Sequence, residues 1–181
     1  MRVISGSARG LKLKAPEGMN TRPTTDRIKE SLFNIIVADL YDICFLDLFG
    51  GSGGIGIEAL SRGARKAYFA DSSRKSIEII NDNLKRARLD DRAVVLNCDF
   101  RQALNRIKAM GDKFDIVFLD PPYNTTLAAD AAKLIAQLGL MNENGYIIAE
   151  QAADEPLLEI EGYELLRVKD YKTTKMTFLG I

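Results

Sequence analysis

From residue 44 onward, apolar runs of strand length alternate with amphipathic segments of helix length, and this alternation restricts the architecture more than any other feature of the 181-residue chain. The strand-like runs are 44–49, 66–71, 93–97, 114–120 and 145–150, and the helix-like segments are 55–62, 74–88, 100–110 and 127–138. Strand-then-helix units repeated in this way stack as a parallel sheet covered on both faces. After residue 150 the rhythm breaks. Two further strand-like runs, 163–169 and 175–179, are separated only by Asp170-Tyr171-Lys172-Thr173-Thr174, too few residues for a crossover helix, so they are expected to pair antiparallel. The expected fold is α/β: a doubly wound, seven-stranded, mostly parallel sheet with a C-terminal antiparallel hairpin.

Ahead of that domain, Arg2-Val3-Ile4 and Leu11-Lys12-Leu13-Lys14 flank a turn rich in Gly and Ser, the pattern of a small basic β-hairpin. A helix is expected over 25–40, capped by Thr25 or Asp26, with Ile28, Leu32, Ile35, Ile36 and Leu40 as its packing stripe. The chain thus divides into a basic hairpin-and-helix appendage, 1–42, and a main domain, 43–181. Formal net charge is zero, yet residues 1–29 carry seven basic side chains against two acidic ones. That local excess suits a phosphate backbone, and Arg2, Arg9, Lys12 and Lys14 are the candidate phosphate contacts.

With 46% apolar and 28% charged residues the composition is that of a soluble globular chain. No apolar run approaches the roughly 18 residues of a membrane span, and residues 1–6 have no signal-peptide core, so a cytoplasmic protein is expected. Cys44 and Cys98 lie in apolar, strand-like stretches and are expected to be buried thiols, with no metal bound. The chain has no histidine, which removes Ser-His-Asp and Cys-His catalysis and His-metal sites together.

Where the first strand should turn into the first helix, Asp47-Leu48-Phe49-Gly50-Gly51-Ser52-Gly53-Gly54-Ile55-Gly56 contains a G-x-G-x-x-G match at Gly51, Gly53 and Gly56. Such a loop lets an adenosine-bearing cofactor lie against backbone and helix N–H groups. Asp47, three residues before Gly50, would repel a pyrophosphate but suits the ammonium group of a methionine moiety, which favours S-adenosylmethionine over NAD. Asp71 ends the second strand, where a carboxylate can accept from both ribose hydroxyls. Asp99 can accept from an adenine amino group or cap the following helix, with Phe100 packing nearby.

The fourth strand ends in Asp120-Pro121-Pro122-Tyr123. Methylating an aromatic amine requires acceptors on its N–H groups as positive charge develops, because the nitrogen lone pair is delocalised into the base. Asp120 and the Pro121 carbonyl can supply one acceptor each, Pro122 stiffens the loop, and Tyr123 can stack on an extruded base. None of this needs histidine.

These residues carry a resemblance to the bacterial 16S ribosomal RNA guanine-N2 methyltransferase family RsmD, along essentially the whole chain. The matching segments are Arg2-Val3-Ile4-Ser5-Gly6 with Arg9-Gly10, Thr21-Arg22-Pro23-Thr24 with Arg27, Glu30-Ser31-Leu32-Phe33-Asn34, Asp47-Leu48-Phe49 with the glycine loop, Glu58 to Ala64, and Asp120-Pro121-Pro122-Tyr123. The resemblance implies a class I (Rossmann-like) fold and methyl transfer from S-adenosylmethionine to N2 of a guanine, at position 966 of 16S rRNA. It further implies that Arg22, Pro23 and Thr24 close over the methionine end of the cofactor, that the basic hairpin with Arg2, Arg9, Lys12 and Lys14 contacts ribosomal RNA, and that the substrate is a partly assembled small ribosomal subunit; a monomer is expected. Asp71, followed by Ser72-Ser73, stands where the family often has Glu. Three alternatives stay open on the residues alone: an adenine-N6 methyltransferase, an NAD-dependent oxidoreductase, and an RNA-binding factor without turnover.

Overall fold

The computed structural model describes residues 1–15 and 26–181. Its strands are β1 (Cys44–Asp47), β2 (Lys66–Asp71), β3 (Ala93–Asn97), β4 (Phe114–Leu119), β5 (Met141–Ala152), β6 (Glu164–Asp170) and β7 (Thr174–Gly180). They form one sheet in the order β3-β2-β1-β4-β5-β7-β6. The first five strands pair parallel, while β7 pairs antiparallel with both β5 and β6. The expected fold class and the closing hairpin are therefore present.

The helices are α1 (Asp26–Ile35), α2 (Gly54–Ser61), α3 (Arg74–Ala87), α4 (Phe100–Met110) and α5 (Leu127–Leu138). Alternation along the strands sends Leu46, Val117, Leu119 and Ile147 to one face, packed with residues of α4 and α5. Phe45, Phe69, Phe118 and Ile148 go to the other, packed with α1, α2 and α3. The central strand β1 is buried at every position, which is why it reads as a continuous apolar run. Val3, Leu13, Leu32 and Phe33 share the second cluster with Phe45 and Phe69, so the N-terminal segment is packed onto the sheet's helix layer.

Several boundaries differ from the sequence expectations for local reasons. β4 stops at Leu119, not residue 120, because Pro121 and Pro122 have no N–H for the ladder and restrict the residue before them. β5 begins at Met141, earlier than residue 145, through a register irregularity opposite Phe114–Ile116. The first helix ends at Ile35 rather than 40; the β-branched run Ile35-Ile36-Val37 leads into a short 3-10 turn, Val37–Asp39, while Ile36 and Leu40 remain buried. Thr25 lies outside the described residues. Asp26 starts α1, and its carboxylate accepts the Arg2 backbone N–H at 3.0 Å.

The expected N-terminal β-hairpin is present as a short antiparallel pairing with one isolated bridge, Arg2 to Lys12. Val3 N–H donates to the Leu11 carbonyl at 2.9 Å and Gly10 N–H to the Val3 carbonyl at 2.8 Å. The Leu13 N–H donates to the Met1 carbonyl at 3.1 Å on the other side of the bridge, and past Val3 the Ile4 and Ser5 N–H groups donate to the Glu58 carboxylate at 2.8 and 3.0 Å. A charged acceptor on α2 holds the arm.

Candidate active site

β1 and β4 are neighbours, with Asp47 in register with Phe118, yet the chain leaves β1 toward β2 and β3 on one side and continues from β4 toward β5 on the other. The loops after β1 and β4 therefore diverge at the carboxyl edge of the sheet and leave a crevice, the ligand position of open α/β folds. The glycine loop and Asp120-Pro121-Pro122-Tyr123 face that crevice from its two sides.

In the glycine loop, Gly51 (φ 55°) and Gly53 (φ 75°) adopt left-handed conformations. Gly53 is the residue before α2 and offers no side-chain cap; Asp47 takes the Gly56 N–H, and those of Gly54 and Ile55 have no side-chain acceptor among the described residues, which leaves them for a ligand. Gly56 serves packing instead. A Cβ there would lie 2.3 Å from the Phe69 ring, so its bareness lets α2 sit on β2. Gly50 donates to the Ala70 carbonyl at 2.9 Å, tying the loop to the end of β2.

Asp47 is 2% exposed and accepts the Gly56 N–H at 3.0 Å. Burial pushes its carboxyl up to about 7, with the Gly56 bond opposing and the nearby Asp71 charge adding to the rise. Asp71 is half-buried at the rim; its two oxygens accept from Gly51 N–H at 2.9 Å and Ser73 N–H at 2.8 Å. One carboxylate thus fastens the glycine loop to the start of α3. Asp99 caps α4, accepting from Arg101 and Gln102 N–H at 2.8 and 3.0 Å. Phe100 is buried against Phe49, ring centroids 5.9 Å apart, so the glycine loop and the β3 edge share an aromatic contact.

Asp120 follows β4 directly. Burial first, then the charges of Glu150 and Asp47, raise its carboxyl well above the usual range. Pro121 is buried, Pro122 exposed, and the Pro122 carbonyl accepts from the Thr125 hydroxyl at 2.7 Å, closing the loop on itself. The Tyr123 hydroxyl donates to Glu150 at 3.3 Å. A small cavity of about 40 Å³ lies here, lined by Pro121, Pro122, Tyr123, Glu150, Gln151 and Leu158 among others.

Arg22, Pro23 and Thr24 lie outside the described residues. Arg2, Arg9, Lys12 and Lys14 are exposed on the N-terminal arm. Arg2 approaches Asp26 at 3.5 Å and Lys14 approaches Asp82 at 2.9 Å, whereas Arg9 and Lys12 have no ion-pair partner among the described residues. Both cysteines are buried, as expected, and burial raises the Cys44 thiol to about 11, which makes it unreactive.

Four residues that the sequence did not single out organise these parts. Glu150, at the end of β5, holds Tyr123. Asn83 of α3 accepts from Lys14 N–H at 2.8 Å and donates to the carbonyls of Lys14 and Ser52, both at 2.9 Å, linking the arm to the glycine loop. Glu58 and Lys29 anchor the arm from α2 and α1. Glu150 carried a signal, being an acid at a strand's carboxyl end beside the Asp120 strand; Asn83, Glu58 and Lys29 look like ordinary polar positions on amphipathic helices.

A seven-stranded sheet of this order, with a glycine loop after its first strand and Asp-Pro-Pro-Tyr after its fourth, is the class I methyltransferase fold. A family model described as Conserved hypothetical protein 95 matches residues 1–180, and the chain belongs to that family, the RsmD family. It is 43% identical over 162 residues to YlbH of Bacillus subtilis (strain 168), covering 90% of this chain and 88% of that protein. It is 36% identical over 172 residues to ribosomal RNA small subunit methyltransferase D of Haemophilus influenzae, covering 93% and 88%. The solved structure of yhhF from Escherichia coli matches with a TM-score of 0.87 at 31% identity, covering 99% of this chain and 97% of that one.

Proposed function

We propose that the protein transfers a methyl group from S-adenosylmethionine to the exocyclic N2 of a guanine in 16S ribosomal RNA, at position 966 in that RNA's numbering. The observation that carries this reading is the register of β1 with β4, which brings the glycine loop and Asp120-Pro121-Pro122-Tyr123 to one crevice. Further support comes from the resemblance to ribosomal RNA small subunit methyltransferase D. The residues fit the cofactor. Gly51 leaves backbone open beside the first N–H groups of α2, Gly53 makes the left-handed turn into that helix, Asp71 is fixed at the rim for a ribose, and Asp99 and Phe100 flank the adenine position. Asp47 lies beneath the loop on the side assigned to the methionine moiety. Arg22, Pro23 and Thr24 close that end by family resemblance.

When bound, the cofactor supplies an electrophilic methyl group on a sulfonium. Asp120 accepts one N–H of the target amine and the Pro121 carbonyl accepts the other, which draws the nitrogen toward tetrahedral geometry and stabilises its developing positive charge. The proton lost from the methylated amine passes to the Asp120 carboxylate and from there to solvent. Tyr123, braced by Glu150, stacks on the base and sets its plane. Arg2, Arg9, Lys12 and Lys14 meet phosphates of RNA in a partly assembled small subunit, and one copy of the chain, working in the cytoplasm, suffices for the site.

The test is incubation of purified protein with methyl-labelled cofactor and small ribosomal subunits from a strain lacking this activity, followed by nucleoside mass spectrometry. Label in N2-methylguanosine is expected. Label in N6-methyladenosine instead would replace guanine with adenine, and absence of label in RNA would overturn the reading.

A further inference from the structure

A shallow groove of about 710 Å³ runs between α1 and the edge strand β6, away from the Asp-Pro-Pro-Tyr loop. Arg27, Glu30, Ser31 and Asn34 line it from α1 at helical spacing, and Arg167 and Lys169 line it from β6. On the neighbouring strand β7, Arg167 is in register with Phe178 and Lys169 with Met176. Phe178 and Met176 are buried in the same cluster as Leu32 and Phe33 of α1. One strand further out, on the same face, the corresponding positions are therefore cations, and β6 is exposed along most of its length. The face that α1 seals over β7 is left open and basic over β6.

Charge and placement together specify what such a groove takes. Its lining carries three cations, Arg27, Arg167 and Lys169, against one carboxylate, Glu30, in a chain whose formal net charge is zero. Ser31 and Asn34 add hydroxyl and amide donors suited to phosphate or ribose oxygens. The groove is continuous with the N-terminal arm: Asp26, next to Arg27, lies 3.5 Å from the Arg2 guanidinium, and Lys29 donates to the Arg2 carbonyl. The end nearer the arm is level with the reaction site: Tyr171, two residues past Lys169, donates its hydroxyl to Ser31, and Lys169 is in register with Met176 and Met176 with Glu150, the partner of Tyr123. Two strand spacings, about 10 Å, separate Lys169 from Glu150 across the sheet.

Resting on the RNA reading above, we propose that the α1–β6 groove is a second phosphate-backbone site, holding the RNA strand that flanks the target nucleotide while the arm holds another segment. A strand laid from the arm across the first half of α1 to Lys169 passes beside the carboxyl edge of the sheet, so the arm and groove together fix the approach of the extruded base. Cations on an edge strand also discourage sheet-to-sheet pairing, a purely protective role that the experiment must separate.

The experiment uses the full chain and deproteinised small-subunit ribosomal RNA from a strain lacking the activity, with affinity measured across a salt series and binding of the demethylated cofactor measured by calorimetry. The triple variant Arg27→Gln, Arg167→Gln, Lys169→Gln is expected to lose at least about ten-fold in RNA affinity at low salt. Its plot of log affinity against log salt should become shallower by about 2, because each lost phosphate contact removes a little under one unit. Glu30→Gln should change RNA affinity in the opposite direction, and Lys133→Gln on α5, across the sheet, should change neither. Cofactor binding should be unaltered in all of them. Unchanged RNA affinity and salt slope in the triple variant would overturn the groove, as would self-association in sedimentation as its sole effect, which would assign the cations to edge protection. If the unsubstituted protein fails to bind the RNA at all, the RNA reading itself falls.

Discussion

The Lys29 ammonium lies 3.1 Å from the Glu58 carboxylate with both side chains wholly removed from solvent. The pair is the centre of a clamp. Glu58 also accepts from Ile4 N–H, Ser5 N–H and Arg62 Nε, at 2.8, 3.0 and 2.8 Å, and Lys29 donates to the Arg2 carbonyl at 2.6 Å. Charges this deeply buried are tolerated because each is paired and further hydrogen-bonded. Lys29→Met leaves Glu58 with less compensation and is expected to destabilise the protein by about 3 kcal/mol in urea unfolding. A loss below about 1 kcal/mol would show that the clamp contributes little.

Gly6 seats the arm's turn against the end of α2. Its φ is +84°, and a Cβ would stand 1.8 Å from the Ser61 carbonyl oxygen, which accepts the Ser7 N–H. Gly6→Ala is expected to unseat residues 1–15, costing about 1–3 kcal/mol and raising their susceptibility to proteolysis. RNA affinity should fall with it. Proteolysis kinetics matching the unsubstituted protein would contradict the arrangement.

Asp47 gives stability a pH dependence of unusual sign. Its carboxyl stands near 7 in the folded chain against 3.8 when free, so between those values the folded state holds a proton that the unfolded state has released. That contribution is present in acid and is lost as pH rises toward 7. Asp47→Asn keeps an acceptor for the Gly56 N–H and removes the titration. It should raise stability at pH 8 by about 2–4 kcal/mol while changing little at pH 4. Equal effects at both pH values would refute the assignment.

Methyl transfer should fall as pH drops, because Asp120 accepts the amine hydrogen only as a carboxylate and its affinity for a proton is raised by burial, Glu150 and Asp47. Glu150→Gln removes a negative neighbour and retains an acceptor for Tyr123, so the acidic limb of kcat against pH should move to lower pH. A limb that moves upward, or stays in place, would remove Glu150 from the electrostatics of the site.

Asp120→Ala is expected to lower kcat by at least about 100-fold while cofactor affinity stays within a few-fold, since its proposed partner is the target amine and not the cofactor. Single-turnover transfer and calorimetry measure the two effects. Unchanged transfer would detach the loop from the chemistry.

Much of this molecule was legible along the chain because local rules govern it. β2, β3, α4 and α5 occupy the residues that their hydrophobic period marks out, with Asp99 capping the start of α4 and Gly111 and Gly139 ending the two helices. The Asp99 cap was readable from one acid before an amphipathic run. Where local rules competed, the expectation slipped. The N-terminal hairpin keeps a single bridge and is held instead from outside, where Glu58, more than fifty residues away in sequence, accepts the N–H groups of Ile4 and Ser5.

The sequence by itself determined which segments become strands and helices, where the glycine loop and Asp120-Pro121-Pro122-Tyr123 fall at strand ends, and what chemistry remains to a chain without histidine. These follow from side-chain period, backbone restriction and functional-group inventory, all carried by neighbouring residues. Only the tertiary structure decided that β1 lies against β4, that Glu150 reaches Tyr123, that Lys29 and Glu58 meet in the interior, and that α1 stops short of β6 to leave a basic groove. Each of those depends on strand order and on helices packing across the sheet, where the free energy of a contact is set by partners distant in sequence and no local pattern records them.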